Sequence, residues 1–126
     1  MDEALTRNDL LTMRQAGKVA ARILKRLKKI IAAGITTKDI ENYFDKELAA
    51  YPEMKPAFKG YHGYPSSVCV SVNDEIIHGI PSKDRVIQNA DLVSVDLGIE
   101  YQGLFVDTAY TYMVGKVSKE AKELVK

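Results

Sequence analysis

Residues 93–112 read VSVDLGIEYQGLFVDTAYTY, two apolar runs of period two around a glycine-containing turn. Such alternation belongs to half-buried strands, and a short turn between two of them makes an antiparallel hairpin. Each strand also carries one aspartate, Asp96 and Asp107. Aspartate is depleted in strands, and its charge is costly beside a core. A turn at Tyr101 and Gln102 sets Asp96 directly opposite Asp107. In that register Val93, Val95, Leu97, Val106, Thr108 and Tyr110 share one face. Ser94, Asp96, Gly98, Phe105, Asp107 and Ala109 share the other. Gly103 fits better in a three-residue loop with a bulge, and a second bulge must then restore the carboxylate pair. Carboxylates so placed repel, so they share a proton, hold a cation, or point apart into water. Two ligands fall short of the roughly four to six that tight metal sites use.

Upstream the period changes to that of a helix. Thr6 and Asp9 have the spacing of a capping box. Leu10, Met13, Ala16, Ala20, Ile23, Leu24, Leu27 and Ile31 then form an apolar stripe, and Gly34 is expected to end the helix. Thr36 restarts the pattern for a second helix carrying Ile40, Tyr43, Phe44 and Leu48, closed by Pro52 and Pro56. A Gly- and Tyr-rich loop follows. Residues 67–72 then alternate strictly, with Val68, Val70 and Val72 on one face and Ser67, Cys69 and Ser71 on the other. Residues 73–91 read as a connector, residues 92–99 and 104–114 as strands, and Ser118 as the N-cap of a further helix. Two helices before a run of strands predict an α+β fold: an antiparallel sheet with both helices packed on one face. A chain of 126 residues suits a single domain, 1–126.

The bulk properties exclude several classes. Net charge is +1, so no strong field draws nucleic acid or an anionic membrane. Eight basic residues against three acidic ones in the first 34 read as the solvated face of the first helix. The one cysteine, Cys69, forms no internal disulfide and suits a reducing compartment. No stretch is apolar enough to cross a bilayer, and the start lacks a signal peptide's pattern. The expected location is cytoplasmic.

His78 ends a short apolar run beside Gly79, and His62 lies in the Gly/Tyr loop. Histidines in such places are more often loop hydrogen-bonders than proton-transfer groups. No nucleophile triad, phosphate loop or zinc spacing is present.

Four segments, MRQAGKVAA, KPAFKGYHGYPSSVCVSVNDEIIHGIPS, DLVSVDLG and GLFVDTAYTYMVG, lie in the order found in type I methionine aminopeptidases, and the chain resembles that family over nearly its whole length. The resemblance implies half of a pita-bread fold, two pseudo-symmetric α+β halves with a dinuclear metal site between them. It makes Asp96 a ligand of one metal and Asp107 a bridge between two. It gives His78 a part in catalysis at the scissile amide. It places Tyr61, His62, Tyr64 and Cys69 around the methionine side chain. The implied cofactor is a divalent metal (Mn, Co, Fe or Zn), two ions per complete site. The implied substrate is a peptide with an N-terminal methionine.

The family's remaining ligands, one histidine and two glutamates, belong to the second half, as does a second catalytic histidine. Both histidines of this chain match first-half positions. The chain therefore reads as the N-terminal half of such an enzyme. Whether it is an enzyme by itself stays open. Alone it is expected to be inactive or very weak, and the metal itself can be absent from this half. Two partners are open to it: the missing C-terminal half, or a second copy whose aspartates complete a carboxylate site. The other class of reading is a non-catalytic half-fold, an engineered folding or interaction module.

Overall fold

Two helices and four strands follow along the chain: α1 (Arg7–Leu27), α2 (Thr37–Leu48), β1 (Met54–Pro56), β2 (Val68–Val72), β3 (Leu92–Tyr101) and β4 (Leu104–Met113). The structure is a computed structural model that describes residues 6–60, 63–73 and 79–115. The expected helix at Ser118 lies outside the described residues.

Both helices start where the sequence places them. Thr6 and Asp9 close a capping box on α1, and Thr36 and Asp39 close one on α2. Each box satisfies backbone donors that a helix start leaves unpaired. The far end of α1 differs from expectation. The helix stops at Leu27, and the N–H groups of Lys29 and Ile30 donate three residues back, to Arg26 and Leu27. This tightened turn ends the α-helix early. Gly34 (φ 101°) serves the following loop instead, donating its N–H to the Ile87 carbonyl at 2.8 Å. Leu10 also leaves the expected buried stripe and is 52% exposed. Thr12 is the first buried residue of α1, and its Oγ1 lies 3.4 Å from Gln102 Oε1 at the hairpin tip. The first turn of α1 thus runs past the end of the sheet.

β3 is the spine of an antiparallel sheet. β4 flanks one edge over its whole length. β2 and β1 lie in line along the other, β2 against Val93 to Leu97 and β1 against Ile99 to Tyr101. The short β1 is absent from the sequence reading. α1 packs over β3 and β4, and α2 over β2 and β1, so both helices cover one face. Val68, Val70, Val72, Val93, Val95, Leu97 and Ile99 point into that core at 2% exposure or less. Ile23, Leu27, Ile40 and Phe44 meet them from the helices. Each such side chain contributes roughly 1.5–3 kcal/mol through burial. The predicted α+β fold is observed, and the helix-free face of the sheet carries the polar residues.

Candidate metal centre

The hairpin register differs from the expected one. Tyr101 pairs with Leu104, so Gln102 and Gly103 form the two-residue turn. Their φ angles are +52° and +79°. Two positive φ values are what a tight hairpin turn of matching twist requires, and Gly103 supplies one without strain. The expected turn would have forced Tyr101 into that region. The shift sets Asp96 opposite Ala109 and Asp107 opposite Gly98. The two aspartates are diagonal neighbours rather than directly opposed. The shift is by an even number, so both stay on one face.

Asp96 and Asp107 still interact. Asp96 is half-buried, and its acid is pushed up to about 7 by burial first, then by a hydrogen bond and charge from Asp107. Its Oδ1 is buried without a hydrogen-bond partner. An unpartnered buried oxygen on one of two interacting carboxylates suits a cation. Hard oxygen donors suit a divalent ion. The two residues thus fit part of a metal site. Among the described residues no cluster of three or more His, Cys, Asp or Glu completes it.

Cys69 pairs with Asp96 across β2 and β3, so its thiol shares the aspartates' face. Ser71 pairs with Ser94, whose Oγ lies 2.9 Å from Thr111 Oγ1. Tyr64 donates its hydroxyl to the Val68 carbonyl at 3.0 Å. Burial, then the neighbouring Cys69, hold the Tyr64 phenol above its ordinary range. Tyr64 and Cys69 are therefore brought beside Asp96, and Asp96 beside Asp107. His62, Tyr61 and His78 lie outside the described residues.

Phe58 is not among the residues expected at the site. Its ring lies on Gly98: a Cβ there would stand 2.8 Å from Phe58 Cε1 and 3.1 Å from Ala57 Cβ. Phe58 also meets Tyr64 edge-on, with ring centroids 6.4 Å apart. A glycine inside a strand was the available signal, since it often marks a close approach. A groove of about 380 Å³ lies elsewhere, between α1 and the outer edge of β4, lined by Leu24, Lys25, Lys28 and Tyr110 among others.

The sequence pattern of Metallopeptidase family M24 matches residues 12–126. The chain belongs to metallopeptidase family M24. Among its M24 relatives, the methionine aminopeptidase of Clostridium acetobutylicum is 44% identical over 114 residues, covering 90% of this chain and 45% of that protein. Methionine aminopeptidase 1 of Bacillus subtilis is 40% identical, covering 95% and 48%. The crystal structure of methionine aminopeptidase from Thermotoga maritima superposes with a TM-score of 0.94 at 43% identity, over 99% of this chain and 50% of that one. The prolidase of Pyrococcus furiosus, at 21% identity and a TM-score of 0.79, shares the fold. This M24 chain spans about half the length of the curated relatives it matches. Its architecture is half of the pita-bread fold.

Proposed function

We propose that the chain is the N-terminal half of a dinuclear-metal methionine aminopeptidase that removes initiator methionine from nascent chains in the cytoplasm. The observation that carries this reading is the convergence of Asp96 and Asp107, with one orphaned buried oxygen, in a member of a metallopeptidase family. Asp96 would hold one ion, and Asp107 would bridge two. Bound there, divalent ions supply Lewis acidity toward the peptide carbonyl and acidify the attacking water. The chain's own part is to seat the substrate. Phe58, Tyr64 and Cys69, with Tyr61 and His62, wall in the methionine side chain and keep water from it. His78 steadies the scissile amide.

Asp96 and Asp107 are two ligands of a larger set. The outer edge of β4 has no paired strand among the described residues, and Phe105 and Tyr110 beside it are exposed. Either a C-terminal half or a second copy of this chain supplies the other ligands beside that edge. A second copy on a true two-fold axis gathers four aspartates around one weak site.

The alternative is a non-catalytic half-fold module that keeps the architecture alone. Hydrolysis of a Met-Ala-Ser peptide with added Mn²⁺ or Co²⁺, read beside Mn²⁺ binding, decides between the two. Turnover or Mn²⁺ binding that disappears in Asp107→Asn supports the peptidase, and a folded chain with neither supports the module.

A further inference from the structure

α2 turns Ile40, Phe44 and Leu48 inward, and with them one carboxylate, Glu41, at 2% exposure. A buried carboxylate is an expensive way to join a helix to a sheet, and an apolar residue of similar size is often no less stable. Its contacts show where it acts. Oε1 is paired with Lys38. Oε2 accepts the Ser67 N–H at 2.8 Å. Ser67 Oγ lies 2.6 Å from Asp45 Oδ1 and 3.2 Å from Glu41 Oε2. A hydroxyl has one proton to give, and the shorter contact takes it. Glu41 therefore grips the backbone of Ser67, and Asp45 its side chain. Burial works to raise the Glu41 acid, but Lys38 and Ser67 outweigh it and hold it below the ordinary range.

Ser67 is the last residue before β2. The next carbonyl, of Val68, accepts the Tyr64 hydroxyl, and the next side chain, Cys69, pairs with Asp96. We propose that Glu41 is a positioning residue: from α2 it fixes the backbone at Ser67, and so the placement of Tyr64 and Cys69 beside Asp96. The inference rests on the reading of Tyr64 and Cys69 as pocket wall. Its test needs neither metal nor turnover, so failure of the metal reading leaves it standing.

Cys69 is the single cysteine, so a disulfide reagent such as DTNB reports one site. With Glu41→Ala, labelling is expected to quicken at least about fivefold through local opening. Glu41→Gln keeps an oxygen for the Ser67 N–H and should stay within about twofold of the parent. Tyr112→Phe removes a remote buried bond to the Leu24 carbonyl, 2.6 Å long, and serves as a destabilised control. Its labelling rate should not change. If Glu41→Ala does not fold, Glu41→Asp withdraws the same charge by one methylene and should also label faster. Parent-like labelling in the folded Ala or Asp variant overturns the proposal, as does equal acceleration in Tyr112→Phe.

Discussion

Gly98 stands directly across the β3–β4 ladder from Asp107, and the space its side chain would fill holds the ring of Phe58. One glycine thus lets an aromatic wall rest against the strand that carries Asp96. Gly98→Ala should overpack this contact and cost about 1–3 kcal/mol. Urea unfolding of Gly98→Ala, Phe58→Ala and the double variant measures the coupling. Additive losses would show that the ring and the glycine do not depend on each other.

The metal-free protein should lose stability as pH rises. The folded-state acid of Asp96 is raised from its ordinary 3.8 to about 7. A raised acid binds more protons folded than unfolded. Its contribution is therefore full below the unfolded value and is lost as pH climbs through about 7. Glu41 is shifted the other way and acts at lower pH, around its ordinary 4.5. Urea midpoints between about pH 5 and pH 8 should fall in the parent and flatten in Asp96→Asn. Rising midpoints in the parent would contradict the burial and charge of Asp96.

The turn holds a removable strain. Gln102 adopts φ +52°, a region that asparagine and glycine enter more easily. Gln102→Asn should stabilise the hairpin by roughly 0.5 kcal/mol, read from the thermal midpoint. A loss of stability would point instead to the Gln102 contact with Thr12.

The outer edge of β4, unpaired among the described residues, predicts association. Phe105, Tyr110 and Met113 are 58%, 51% and 42% exposed along or beside it. Edges of this length invite pairing. Sedimentation equilibrium should show a dimer that Mn²⁺ tightens. A monomer indifferent to Mn²⁺ would remove the two-fold site and leave a C-terminal half as the completing element.

The sequence made the helices and strands legible because their signals are local. Thr6 with Asp9, Thr36 with Asp39, and the alternation of Val68, Val70 and Val72 each follow from a few neighbouring residues. The aspartates' shared face was legible too, because it depends on parity alone. Their register was not, since the φ that Gln102 accepts is settled by the whole ladder. Phe58, Glu41 and β1 stayed hidden for a related reason. Each owes its place to a partner distant in sequence, such as Gly98 for Phe58 and Ser67 for Glu41.

The central claim is that Asp96 and Asp107 are the half-site of a metal centre. Calorimetric titration of Mn²⁺ into the parent and into the Asp96→Asn, Asp107→Asn double variant tests it most directly. The account predicts binding heat in the parent and none in the double variant, with both chains folded. Equal heats in the two proteins, or none in the parent, would contradict it.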